Sequence, residues 1–200
     1  MNRTIPPANQ SEGVRFGRTI IVAATGDLFD HDVEAIVTPA NRRGVMGAGF
    51  AGRIRLAGGI EIEREAMAQA PLAVGTAVAT TSGDLGARGI RTVIHAVVSD
   101  GLGAPTRLDI VRSATSAALR EADRQRVRTV LVPLLGAGLG TGRLPGGTVS
   151  PSMIEEMVAH FRRFTCRLDR VVFHLTDARE AETNHRLLLD ARDLWWGITP

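Results

Sequence analysis

Asn41-Arg42-Arg43-Gly44-Val45-Met46-Gly47-Ala48-Gly49-Phe50-Ala51-Gly52-Arg53-Ile54-Arg55-Leu56-Ala57-Gly58-Gly59 is the stretch around which the rest of the chain is arranged. It follows the apolar run Ala35-Ile36-Val37, which reads as a buried strand, and passes through small residues into a helix-like segment over residues 50–56. Gly47 and Gly49, one residue apart, let the main chain approach a ligand that a side chain would exclude. The helix start beyond them adds the positive end of its dipole, so a phosphate or pyrophosphate is the expected occupant. One such loop alone reads equally as a glycine-rich turn. A second loop of the same kind, Gly136-Ala137-Gly138-Leu139-Gly140-Thr141-Gly142, follows a second apolar strand and favours the anion.

Residues 47–52 also match G-x-G-x-x-G in form. A dinucleotide fingerprint opens directly from its strand and precedes a second strand ending in an acid. Here nine residues separate Val37 from Gly47 and a charged helix follows, which speaks against a dinucleotide oxidoreductase.

The chain has 200 residues, 44% hydrophobic and 22% charged, enough for one sizeable core. Its sequence pI is about 10.6, yet the formal net charge is only +3. All 24 basic residues are arginine and there is no tyrosine, so little titrates between the cysteine and arginine ranges and the pI says little about partners. The absence of lysine removes every mechanism that needs a side-chain amine. Cys166 is the single cysteine, which rules out an internal disulfide or a cysteine cluster, and it reads as a small apolar residue near a strand. The five histidines show no metal-ligand spacing. Residues 1–17 lack the apolar core of a signal peptide and no run is long enough to span a bilayer; the expectation is a cytoplasmic chain with a loose N-terminal arm.

Strands are expected over residues 18–24, ending at Thr25-Gly26-Asp27, and over 33–37, ended by Pro39. Residues 59–70 suit a surface helix whose Glu61, Glu63 and Glu65 read as a solvated face. Strands over 76–81 and 92–98 follow, the latter with His95 as a hydrogen-bonded core histidine, then a helix over 106–125 and a strand over 127–135. Ser150-Pro151 reads as a helix start, with Ser152 and Glu155 as a capping box in an alternative register, residues 171–175 as the last strand, and Asp177 with Glu180 as the cap of a final helix to about Trp195. Trp195 and Trp196 are expected to pack back on the body. The alternation predicts an α/β sandwich with helices on both faces of the sheet, one domain over 18–196, and a tail at 197–200.

Taken together, these motifs resemble the macro domain. Gly26-Asp27-Leu28 after the first strand, residues 35–41 ending in Asn41, the glycine loop into Leu56-Ala57-Gly58-Gly59, Val93-Ile94-His95-Ala96-Val97 and the run from Val132 to Gly140 stand in family order. The resemblance covers about residues 18–192 and implies a three-layer α/β/α sandwich with a central mixed sheet and a cleft for ADP-ribose. It implies that Asp27 accepts a hydrogen bond from the adenine amino group, with the Leu28 amide near the ring. Gly47, Ala48, Gly49 and Phe50 would clasp the diphosphate from one side, and Gly136, Ala137, Gly138, Leu139 and Gly140 from the other. Asn41 would face the distal ribose as the candidate catalytic residue, or tie the loop to the strand end. Neither metal nor cofactor is implied, and the partner would be ADP-ribose or an ADP-ribosylated protein.

The departures bear on chemistry. The aspartate of the well-known hydrolase branch, ten residues after the asparagine, is Ala51 here. The first asparagine of the strand-end motif is Thr38, the second-loop aromatic is Gly140, and the aromatic that often stacks on adenine falls near Thr176. The branch with a lysine nucleophile is excluded by composition. Two functions remain open. One is a hydrolase acting on ester-linked mono-ADP-ribose, O-acetyl-ADP-ribose or ADP-ribose 1''-phosphate, and the other a non-catalytic recognition module. Arg42, Arg43, Arg53 and Arg55 read as solvated or as lining the phosphate mouth, so neither nucleic acid nor membrane is expected as a partner.

Overall fold

The computed structural model describes residues 12–137 and 142–197. Strands β1 (Val14–Phe16), β2 (Thr19–Ala24), β3 (Ala35–Asn41), β4 (Ala77–Thr81), β5 (Thr92–Ser99), β6 (Thr129–Pro133) and β7 (Arg170–His174) form one sheet in the order β1-β2-β7-β6-β3-β5-β4. The five inner strands run parallel, and β1 and β4 close the edges antiparallel. Helices α1 (Gly49–Gly58) and α2 (Glu61–Ala68) lie on one side, and α3 (Leu108–Arg124), α4 (Gly146–Arg163) and α5 (Ala178–Gly197) on the other.

The strands' period of two builds two cores. Ile21, Ala23, Val37, Ile94, Val130, Val132, Val171 and Phe173 face α3, α4 and α5, where they meet Val111, Leu119, Met153, Met157 and Leu188. Val22, Ile36, Val93, Leu131 and Val172 face the other way, onto Ile54, Ile62 and Leu85. Each such aliphatic burial stabilises by roughly 1.5–3 kcal/mol, and truncating Ile36 to alanine would cost about 2–5 kcal/mol with the cavity included. This is the expected three-layer sandwich with a mixed sheet.

Several local expectations are corrected. Pro39 does not end its strand; β3 continues to Asn41, paired with β5, while its ladder with β6 stops at Ile36. The residue with no N–H therefore stands where the strand has a single neighbour. Helix α4 begins at Gly146, before Ser150, and carries Pro151 inside. Pro145, at φ −61° and ψ 131°, precedes the helix, and its carbonyl takes the amides of Thr148 and Val149. The expected loose arm contains strand β1, hydrogen-bonded to β2, and residues 1–11 lie outside the described residues. Gly197 ends α5 and is not part of a tail. The acids of α2 are not all solvated. Glu63 is buried, and Glu65 accepts from the amide and hydroxyl of Thr81.

Other expectations hold. His95 is fully buried and shares a hydrogen bond of 3.0 Å with the Thr80 hydroxyl. Burial pushes its pKa down to about 4. Cys166 is buried beside β7. The Trp195 ring packs edge-on against Phe16 at 5.7 Å, and the Trp196 side chain lies outside the described residues. Asp177 accepts from the Glu180 amide while Glu180 accepts from that of Thr176, so the two acids cap α5 reciprocally.

Candidate ligand-binding cleft

A cleft of about 930 Å³ opens at the carboxyl ends of β3, β6 and β7, the position where parallel sheets bind ligands. Parallel strands end there together, and their loops have no further ladder to join. Pro39 and Asn41, Pro133 and Leu134, and His174 and Leu175 bring the three strand ends to its floor.

The first wall is the loop into α1, from which Gly47, Ala48, Gly49, Phe50 and Ala51 all line the cleft. Ala48 is the N-cap of α1, extended at φ −130°, with no side-chain cap and no acid in the first turn. The amides of Gly49, Phe50 and Ala51 consequently have no partner within the helix. Gly49 sits at φ +64°, where any other residue would be strained. At Gly52 a Cβ would stand 2.8 Å from the Gly47 carbonyl oxygen, so the turn closes only around glycine.

The loop is braced from below. The Asn41 carboxamide donates to the Val45 carbonyl at 2.8 Å and accepts from the Arg43 amide at 3.0 Å. A register shift between Ala40 and Asn41 marks this strand end. Glu63 reaches back from α2 to accept from the Met46 amide at 2.6 Å, and Arg55 lies 3.0 Å from its other oxygen. Sequence reasoning placed Glu63 in solvent because its helix carries acids on every side. Its contact with Met46 spans seventeen residues and has no local signal.

The second wall comes from α4 and the second glycine loop. Gly146 lines the cleft at the start of α4, again with no side-chain cap and no acid in the first turn, and Ala137 lies beside it. The amides of Gly146 and Gly147 have no partner within the helix. Gly136, which the resemblance puts on the diphosphate, is not among the residues that line the cleft and forms the neck of its loop. It is held at φ +75° with a would-be Cβ 2.8 Å from both Thr106 and Val111, and its carbonyl accepts from Leu144 at 3.0 Å. Gly138, Leu139 and Gly140 lie outside the described residues. The connection after β5 adds the exposed Leu102 and Gly103 to the rim beside Gly47, a contribution with no motif to announce it.

At the far end Gly26 lines the cleft, while the neighbouring Leu28 side chain is buried. Asp27 accepts from the Phe29 amide at 2.9 Å and pairs with Arg53 of α1 at 2.5 Å. The Phe29 amide, followed by Arg53, holds the Asp27 carboxyl below the ordinary carboxylate range. His174 donates from Nε2 to the Gly26 carbonyl at 3.0 Å and meets Phe50 edge-on at 6.0 Å. Burial lowers its pKa, so the ring is neutral at neutral pH. Arg53 lines the cleft, one of the four arginines read as solvated or as lining the phosphate mouth, whereas His174 was no sequence-based candidate and reaches the cleft from the end of β7.

Among the described residues, Glu180 is the one carboxylate lining the cleft, and its Oε2 accepts from the Thr176 amide. No lysine, cysteine or serine lines it. Among the described residues, the site therefore offers main-chain donors, one guanidinium, one imidazole, the Asn41 carboxamide and the Glu180 carboxylate. No group of three or more His, Cys, Asp or Glu side chains suited to a metal ion occurs among the described residues, and none of their helices is long and apolar enough to cross a membrane.

Residues 37–145 match the family model for the Macro domain. An uncharacterized protein of Aquifex aeolicus is 38% identical over 169 residues, covering 84% of this chain and 97% of that one. A macro domain-containing protein of Streptomyces nogalater is 33% identical over 179 residues, 86% of this chain and 94% of its own. Among solved structures, an Oceanobacillus iheyensis macrodomain with ADPR is similar at a TM-score of 0.77 and 16% identity, covering 91% of this chain and 98% of its own. A Trypanosoma brucei macrodomain in complex with ADP reaches 0.72 at 22% identity, covering 86% and 69%. On its sequence, its fold and the position of its cleft, this chain belongs to the macro domain family.

Proposed function

We propose that the cleft binds ADP-ribose, free or attached to protein, with the diphosphate between the starts of α1 and α4. The observation that carries this reading is the pair of helix N-termini opening on one cavity, neither with a side-chain cap or an acid in its own first turn, although Glu180 of α5 stands beside Gly146. Each supplies about half a positive charge, and their free amides belong to Gly49, Phe50, Ala51, Gly146 and Gly147. Hydrogen bonds to a charged group contribute about 1.5–3 kcal/mol each. Five such amides together supply about 7.5–15 kcal/mol, a gross contribution of the same order as the roughly 8 kcal/mol of a micromolar complex. Asp27, kept ionised, accepts the adenine amino group at the Gly26 end, and Asn41 stands at the distal ribose. That neighbours of the same fold hold ADPR and ADP supports the ligand class. Calorimetric titration tests the reading: absence of heat with ADP-ribose at high micromolar concentration overturns it.

We further infer slow hydrolysis of a substituent on the distal ribose: an ester-linked protein adduct, an acetyl ester or a 1''-phosphate. With alanine at position 51, water is oriented by the ligand's own phosphate, the loop amides and Asn41. Plain recognition is the second reading. It is favoured by the commitment of both ends of the Asn41 carboxamide to Val45 and Arg43, and by the lone Glu180 being tied to Thr176. Turnover of ester-linked mono-ADP-ribose separates them, since product no faster than without protein leaves recognition alone.

A further inference from the structure

At the opposite edge of the sheet, two grooves open where α3 and α4 end and the chain approaches β7. The first, about 460 Å³, is lined by Arg120, Arg124, Arg126 and Arg167, with Asp123 as its one carboxylate. The second, about 240 Å³, is lined by Arg162 and Arg163 and by no acid. The two share Phe164, Thr165 and Cys166, so they form one continuous surface. None of these residues lines the cleft.

Part of this charge is free, although Arg162 donates to the Leu194 carbonyl at 3.1 Å and lies over the Trp195 ring at 4.9 Å. Among the described residues, the Arg126 and Arg163 side chains have no ion pair or hydrogen bond, and Arg120 donates only to the Ser116 hydroxyl, at 2.9 Å. Arg124 and Arg167 reach Glu121 and Asp123 at 3.3 and 3.7 Å, loose surface pairs that leave donors available. Between the two groups of cations stands Phe164, 45% exposed although it is a large aromatic. Its ring lies 5.0 Å from that of His160, which is buried with neither ring nitrogen partnered. The last turn of α4 thus presents an aromatic platform flanked by arginines.

We propose that this edge binds single-stranded nucleic acid, with backbone phosphates on the arginines either side of Phe164 and an unpaired base stacked on its ring. A phosphopeptide needs cations converging on one point, whereas these are spread along two grooves. A duplex offers no free base face to the ring. Stacking on an aromatic within a basic groove is how single strands are held without sequence preference. The arginines weighed from the sequence for this role, Arg42, Arg43, Arg53 and Arg55, belong to the cleft side. The ones assigned here are scattered over residues 120–167 and meet only in the fold.

Fluorescence anisotropy on the full chain tests the proposal, using a labelled mixed-sequence RNA single strand of about twelve nucleotides at about 50 to 200 mM salt. Binding is expected to weaken about ten-fold or more over that range. The Arg126→Asn/Arg163→Gln variant should bind at least about ten-fold more weakly and lower the slope of log K against log salt by about 1.4. Asparagine suits position 126, where φ is 57°. Phe164→Ala should weaken binding about five-fold or more. Both variants should keep the parent melting temperature and ADP-ribose heat. The proposal is overturned by no anisotropy change at about 100 µM protein. Tighter binding of the matching duplex, equal competition by a phosphopeptide of the same charge, or an unchanged slope in the arginine variant would overturn it too. Should Phe164→Ala unfold, the arginine variant decides alone.

Discussion

The cleft and the arginine-lined edge both attract anions, by opposite means. The cleft is walled by glycine and alanine, and its donors are main-chain amides fixed by two helix starts. The edge relies on guanidinium groups at the ends of long side chains. Amides already held by the fold lose no rotamer freedom on binding and carry no net charge, so they select by shape and resist salt. Arginines reach many shapes, lose side-chain entropy and are screened. One region is built to read a particular ligand, and the other to hold a class of polymer.

The largest test of this contrast is Ala48→Asp. A carboxylate at this N-cap satisfies the free amides of α1 and should stabilise the unliganded protein by about 0.5–2 kcal/mol. It also occupies the phosphate seat, and ADP-ribose affinity should fall about 100-fold or more. Thermal melting and calorimetry read the two effects, and unchanged affinity would move the diphosphate away from α1.

Salt provides the next test. Between about 50 and 200 mM, strand binding that neutralises three phosphates should weaken roughly 20-fold, while ADP-ribose binding should change less than about three-fold. Equal slopes would erase the distinction between the two regions.

Asn41→Ala frees the Val45 carbonyl and the Arg43 amide and should loosen the loop, lowering ADP-ribose affinity about ten-fold by calorimetry. Lost turnover with retained affinity would instead assign Asn41 to chemistry.

A last test concerns pH. Burial pushes both His95 and His160 down to about 4 from an ordinary value of 6.5. The unfolded chain therefore binds protons first. Stability is fully present above pH 6.5, declines as pH falls toward 4, and is flat again below. Melting temperatures across this window should fall by several degrees, less steeply in His95→Gln. Asp27 is depressed instead below 3.8, so its contribution to ADP-ribose binding should stay level from pH 8 down to about 5.

Most of the fold was legible because its signals are local. Residues 19–24, 92–98 and 171–175 are β-branched or aliphatic runs that only a buried strand accommodates, and the reciprocal cap of α5 is written within five residues. Boundaries failed where tertiary context overrode a local rule. Pro39 is tolerated because β6 has diverged, and α4 starts early because the Pro145 carbonyl already takes the amides of Thr148 and Val149. Of the site, the first glycine loop was legible through its spacing, and all four of Gly47, Ala48, Gly49 and Phe50 line the cleft. His174 and Leu102 were not, since each enters from a different element.

By itself the sequence determined the alternation of strands and helices, the family, and the absence of any lysine chemistry, because hydrophobic period, glycine placement and composition are properties of neighbouring residues. Only the tertiary structure decided that Gly136 forms the neck of its loop, that Glu63 braces the first loop, and that the arginines between 120 and 167 share one edge with Phe164. Those outcomes depend on which distant segments pack together, and a contact between residues far apart in the chain leaves no periodicity to read.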